Sequence, residues 1–414
     1  MTVGIRHDEM RKRNRAMVIA AVRQADRPSR THIARVTGLS HSTISAIASD
    51  LIEEGIMREV PPGEAAAPRR GRPQIAIAPD PEAARVVCLI LSFNSLSAVL
   101  VDYCGAPVAR YGYRLPTLAL SRQELMDATV DAVRKVTAGH GQIMRIGIAV
   151  QGIADSAGRE MLWSPISPHA NVAFGPLLED VFSVPVTVHN DCNLIAAALR
   201  WLRPERYRDN FVAILLSHGI GMGLMLNGHM FTGEHSSGCE FGHMNHRPDG
   251  PLCRCGKRGC IEAFAGNYAI WRRAHGKSPL EKPIADIDAS EMEALANAAR
   301  AGGERAGEAF REAAEALGYG LGNLFALIDP APIAVVGQGT AAFDLLEPGI
   351  RRYLAQTAGG QHADAISFET ESNEVPLIEH GCAMTALTSL DRDYFAPALH
   401  LALPVGAPGR EDVA

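Results

Sequence analysis

Between Phe241 and Glu262 the chain reads FGHMNHRPDGPLCRCGKRGCIE. Within it, Cys253-x-Cys255-x4-Cys260 puts three thiols on one short loop, with Gly256 and Gly259 free to take the curled backbone that lets them converge. Three thiolates and one imidazole make a closed tetrahedral donor set, which is the chemistry of structural zinc because no position is left for a catalytic water. His243, ten residues before Cys253, can supply the imidazole. His235, His246 and Cys239 compete with it for the fourth place.

Such a loop needs a frame. The 414 residues exceed one ordinary core and point to two or three domains. The chain opens MTVGIRHDEMRKRNRA, with no apolar leader, and no apolar run reaches membrane-spanning length. The expectation is a cytoplasmic protein without membrane insertion, whose eight cysteines serve metal binding rather than disulfides. The net charge of −6 is unevenly spread: residues 1–75 carry 13 Lys+Arg against 8 Asp+Glu, so this head is positive and the rest acidic. A basic head on an acidic body predicts a polyanionic partner for the head.

In the head, Val18, Ile19 and Val22 recur at helical spacing. Ser29 is placed to cap a short helix from Arg30 to about Val36, Gly38 suits a positive-φ turn, and Ser40 can cap a third helix with Ile44, Ile47, Leu51 and Ile52 facing inward. That is a helix-turn-helix. Ser40, His41, Ser42, Thr43 and Ser45 are short polar side chains that let a helix start approach base edges and phosphates in a major groove. The competing reading is a small three-helix protein-docking domain. After MREV, the stretch PPGEAAAPRRGRPQIAIAPDP reads as a wing and linker. Its Arg69, Arg70 and Arg72 suit a narrow minor groove, or form a solvated basic loop.

From Ala84 onward, short β-rich runs such as RVVCLILSF and LSAVLVDYCG precede alternating helices and strands, ending in PIAVVGQG. This is an α/β pattern that opens on hairpins, unlike a Rossmann fold. No repeat of fixed short period is visible in it.

The stretch HGIGMGLMLNGHMFTGEHSSGCEFGHMNHRPDGPLCRCGKRGCIEAFAG resembles the signature of the ROK family (repressors, open reading frames and sugar kinases), Gly-Glu-x-Gly-His followed by Cys-x-Cys-Gly-x-x-Gly-Cys-x-Glu. The likeness runs from the helix-turn-helix through VHND to DPAPIAVVGQG. It implies an N-terminal winged helix-turn-helix followed by two actin-like, RNase-H-like α/β lobes around a sugar cleft. The expected boundaries are 1–62 for the winged helix-turn-helix, 63–83 for wing and linker, 84–189 for the first lobe with a C-terminal helix 377–395 packed on it, and 190–376 for the second lobe with a zinc loop at 243–260. The resemblance assigns a structural Zn²⁺ to His243, Cys253, Cys255 and Cys260, and sugar contacts to Asn190, Asp191, Glu240, His243 and Glu262. Carboxylates and amides pair with vicinal hydroxyls, and a polar group left unpaired penalises the wrong epimer. Glu240 and Glu262 could instead brace the loop, and Asn190 could cap the helix CNLIAAAL.

A kinase of this family needs a base, for which Asp191 qualifies, and an early Asp-x-Gly-Gly-Thr turn to cradle phosphates. Here that turn is Ser92-Phe93-Asn94-Ser95-Leu96-Ser97. Phosphoryl transfer rests on positioning and charge neutralisation, so losing both glycines and the aspartate leaves the base with nothing to assist. His218 also replaces a threonine in the second phosphate turn, and Ile166 stands where the kinases place a sugar-contacting Asn, with His169 or Asn171 as substitutes. Gly219, Gly221, Gly223, Gly337 and Gly339 then read as inheritance from the fold. The expected protein is no enzyme. It is a sugar-responsive repressor with Asp191 as a vestigial base, a homodimer or tetramer on pseudo-palindromic operator DNA, with a sugar or sugar phosphate as effector. The alternatives are a sugar kinase with a DNA-binding head, and a body with an empty cleft regulated by a protein partner.

Overall fold

The computed structural model describes residues 3–61, 75–234, 236, 238–283 and 287–396. The chain divides into two compact units, Met1–Ala83 with Leu387–Ala414, and Ala84–Ala386.

In the first unit, helix α1 (Val3–Gln24) buries Val18, Ile19 and Val22. Helix α2 (Arg30–Thr37) starts where the Ser29 side chain accepts from the His32 N–H, and ends at Gly38, φ 71°. Helix α3 (His41–Glu53) starts where the Ser40 hydroxyl accepts from the Thr43 N–H. Its inward residues are Ile44, Ile47, Ala48 and Leu51, while Ile52, expected inside, is only half-buried. Strand β1 (Met57–Val60) pairs antiparallel with β2 (Ala76–Pro79), Met57 opposite Pro79, so the QIAIA stretch supplies the wing's second strand. Arg69, Arg70 and Arg72 lie outside the described residues.

The second unit holds two sheets. The first is built from β3 (Arg85–Ser92), β4 (Ser95–Asp102) and β5 (Pro107–Arg114), then helix α4 (Arg122–Thr137), β6 (Arg145–Val150), a small hairpin of β7 (Ile153–Ala154) and β8 (Met161–Trp163), α5 (Phe174–Phe182), and β9 (Val186–Asn190). Strand order is β5-β4-β3-β6-β9. The second is built from α6 (Asp191–Leu202), β10 (Phe211–Leu216), β11 (Ile220–Leu226), β12 (His229–Phe231), α7 (Glu262–Ala265), α8 (Asn267–Ala274), α9 (Ala289–Arg300), α10 (Glu304–Ile328), β13 (Ile333–Val336), α11 (Phe343–Leu354) and β14 (Phe368–Glu371). Its order is β12-β11-β10-β13-β14. Both sheets therefore repeat one topology: a first strand in the centre, an antiparallel meander on one side and two parallel strands on the other. Every residue of β6, β10 and β13 is buried, so β10 and β13 read as unbroken apolar runs, while β6 opens on the buried Arg145.

The final helix, α12 (Glu374–Leu390), continues into a π-helical turn, Asp391–Phe395. It starts before the expected 377, and residues from Leu387 onward count with the head rather than the first lobe. No described helix is long and apolar enough to cross a membrane.

Candidate functional site

The cysteine loop curls as its glycines allow: Gly256 and Gly259 take φ 81° and 77°, and a Cβ on Gly259 would fall 1.6 Å from the Arg247 carbonyl oxygen. His243 leaves a short 3₁₀ turn, Phe241–His243. One donor atom each from His243, Cys253, Cys255 and Cys260 lies within 4.8 Å of the other three, a cluster able to hold a metal ion. His243 Nδ1 is 3.7 Å from Cys253 Sγ, and Cys255 Sγ is 3.7 Å from Cys260 Sγ. A tetrahedron with metal–sulfur bonds of about 2.3 Å has edges near 3.8 Å, so the four donors fit a zinc-sized ion. Burial raises the Cys253 and Cys260 thiols, and the carboxylate of Glu262 pushes both the same way. A cation reverses that balance, because a coordinated thiol loses its proton outright. Two competitors are engaged elsewhere: His246 packs against the Phe264 and Tyr319 rings, and the Cys239 thiol donates to the Phe231 carbonyl. His235 lies outside the described residues.

The loop borders a polar pocket lined by Asn190, Asp191, Glu240, His243 and Glu262, all five sugar contacts expected from the sequence. Asn190 caps α6: its Oδ1 accepts from the Asn193 N–H at 3.0 Å and its Nδ2 donates to the Gly152 carbonyl at 2.8 Å. Asp191 opens α6, and burial pushes its carboxyl up to about 7. Burial also raises Glu240, despite His243, whose Nε2 lies 3.9 Å from Glu240 Oε2. With Nδ1 facing the thiols, Nε2 is the nitrogen on the Glu240 side, so one ring can serve ion and pocket together. Glu262 is a brace as well as a wall. It accepts from the Ile220 N–H at 3.1 Å and the Tyr268 hydroxyl at 3.2 Å, with Cys253 Sγ at 3.5 Å. A carboxylate has about four acceptor positions, so room for a ligand hydroxyl remains.

Among the pocket residues not singled out from the sequence are Gln151, Trp163, Asn193 and Arg254. Gln151 directly follows a parallel strand, where α/β sheets place ligands, and that signal was available. Trp163 meets the His243 ring edge-on at 5.6 Å, and Arg254, between two cysteines, donates to the His218 carbonyl and lies over the Tyr268 ring. Ile166 is core, His169 faces the Leu120 carbonyl, and neither His169 nor the exposed Asn171 lines the pocket. At the two phosphate turns, the rings of Phe93 and His218 stand 5.0 Å apart, and Ser217 donates to Glu374 at 3.3 Å.

On the head, Ser40 is spent on its own cap, bonding Ser42 and Thr43. His41, Ser42 and Ser45 are exposed, and Ala46 and Ser49 are exposed with them.

Fold and site together define a two-lobed α/β protein of the actin-like kind, carrying a winged helix-turn-helix and a Cys₃His loop at its pocket. The chain belongs to the ROK family, whose model matches residues 96–375. It is similar to the DNA-binding transcriptional dual regulator NagC of Escherichia coli, 25% identical over 349 residues that cover 83% of this chain and 84% of NagC. A glucokinase of Streptomyces coelicolor is 28% identical over 292 residues, covering 67% of this chain and 90% of the kinase. Among solved structures, a ROK family transcriptional regulator described as a homologue of the E. coli MLC protein superposes with a TM-score of 0.71 at 22% identity, covering 92% of this chain and all of that one.

Proposed function

We propose that this chain is a DNA-binding transcriptional regulator, a repressor of carbohydrate uptake or catabolism genes, whose pocket binds a sugar or sugar phosphate and whose occupancy sets operator affinity. The observation that carries this reading is the ring pair Phe93–His218, set at the two turns where a kinase of this fold needs glycine-lined space for phosphates. Bulky rings there keep backbone N–H groups from closing on a triphosphate, while Asp191 retains the place of a base without its co-substrate. The likeness to NagC extends over more of the chain than the likeness to the glucokinase, which supports the head as part of the function. Zinc at His243, Cys253, Cys255 and Cys260 is structural in this reading, ordering a loop that has few large apolar residues.

One helix-turn-helix covers a half-site, so a specific operator requires two heads and a pseudo-palindrome. The second copy would dock on the apolar face where Phe231 and Leu327 are exposed, beside a cavity of about 750 Å³ that Leu226, Leu324 and Ile328 also line.

The test is direct. Purified chain should consume no ATP in the presence of D-glucose, D-xylose or N-acetyl-D-glucosamine, and should bind a duplex selected from a randomised pool with an affinity that one of these sugars or its phosphate changes. Sugar-dependent ATP turnover that Asp191→Ala abolishes would establish the kinase instead.

A further inference from the structure

We propose that the effector is a glycoside, with its sugar ring held at the polar pocket and its apolar aglycone seated in the adjoining cavity of about 750 Å³. The inference rests on the sugar reading above and names the class of sugar derivative.

The polar pocket encloses about 60 Å³ and its neighbour about 750 Å³. Sites that hold small molecules run from roughly 300 to 1,000 Å³, so the polar pocket alone is too small for a ligand and the free space lies next door. The two are continuous, because Trp163, Met222, Cys239, Glu240 and His243 line both.

Strand β11 shows how one sequence builds both surfaces, since alternate residues of a strand face opposite sides of its sheet. Gly221 and Gly223 turn toward α6, where a Cβ on either would fall 2.3 Å from an atom of Cys192. Met222, Leu224 and Leu226 take the other face and line the cavity. Met222 belongs to both spaces, so the strand leads from the hydroxyl-binding end to the apolar one. The last turns of α10 add Leu324 and Ile328, four residues apart and therefore on one face of the helix.

Beyond the shared wall, the described lining is apolar except for Cys255 and Lys257. That chemistry suits an aryl or alkyl group and not further hydroxyls, each of which would lose its water without gaining a partner. An N-acyl substituent meets the same objection at its amide. Trp163 stands at the junction, edge-on to the His243 ring at 5.6 Å. Its indole offers an apolar body to an aglycone, while Glu240 and His243 beside it remain for ring hydroxyls. Phe231 and Leu327, 45% and 83% exposed, form the rim and stay with the interface proposed above. Met222, Leu224 and Leu324 are buried below it, so a second copy on the rim would roof the cavity rather than fill it.

Calorimetry on the full chain tests this with D-glucose, D-xylose and N-acetyl-D-glucosamine beside the p-nitrophenyl α- and β-glycosides of each. For a sugar that binds, one anomer of its glycoside should bind about tenfold tighter or more, because its aryl ring leaves water for an apolar cavity. A glycoside that binds where no free sugar does also supports the proposal. Ile328 lines the cavity and not the polar pocket. Ile328→Trp, which fills the cavity, should therefore remove the gain and leave free-sugar affinity within about twofold. In the wild-type chain the bound p-nitrophenyl ring should quench indole emission, and Trp163→Phe should abolish that quench. Sugars that bind while their glycosides bind no tighter overturn the proposal and leave the cavity to the second copy. A gain that survives Ile328→Trp, or a quench that survives Trp163→Phe, overturns it as well. If neither sugars nor glycosides bind, the sugar reading itself fails and the glycoside with it.

Discussion

Burial makes the Asp191 carboxylate costly to ionise. Its folded pKa of about 7 stands against a usual value of 3.8, with burial as the leading cause. Between these values the folded chain holds a proton that the unfolded chain has released, so stability falls as pH rises through about 4 to 7. Asp191→Asn should therefore unfold at higher denaturant than wild type at pH 8, by on the order of a few kcal/mol, with the gain shrinking toward pH 5. Urea titrations at both pH values check this, and a gain independent of pH would contradict it. Cys255→Ser makes the second test at this scale. Since His243 faces the thiols with one nitrogen and Glu240 with the other, zinc content and sugar affinity should fall together, although Cys255 itself is no sugar contact. Metal analysis beside calorimetry measures both, and a zinc-free mutant with normal sugar affinity would uncouple them.

The elements divide their residues between building and reading. Ser40 is a builder: its hydroxyl caps α3, so Ser40→Ala should cost the head about 1 kcal/mol, seen in a thermal melt, and weaken DNA binding with it. Ser42 is exposed at the helix start, so Ser42→Ala should weaken DNA binding with little change in the melt. Equal melting losses for both would mean that the two serines share one structural task. The wing offers a charge test. Replacing Arg70 and Arg72 by Ala should flatten the salt dependence of DNA affinity by about one phosphate-equivalent per contacting arginine, with a greater loss on A/T-rich flanks. Filter binding across a salt series on both flank types gives the answer.

At the scale of the molecule, the proposed dimer sets two heads on two half-sites, with the apolar face around Leu327 as its proposed interface. Leu327→Glu should give monomers by light scattering and lower operator affinity by at least tenfold while leaving sugar affinity within about twofold. A dimeric Leu327→Glu would move the interface elsewhere. What the sequence determined alone were local matters: the capped helices around Ser29, Gly38 and Ser40, and the cysteine spacing that brings three thiols together, because cap chemistry and loop closure act over a few residues. It also named the five pocket residues, though only through resemblance. Tertiary structure decided the rest. That both sheets share one strand order is invisible in a chain without repeats, because topology constrains the pattern of burial and not residue identity. Trp163 and Arg254 reach the pocket, and Asp391 reaches Arg23 across 368 positions, only after packing brings distant segments together. Nothing in the local sequence of a buried arginine states which carboxylate will answer it, since that pairing is set by desolvation inside the folded core.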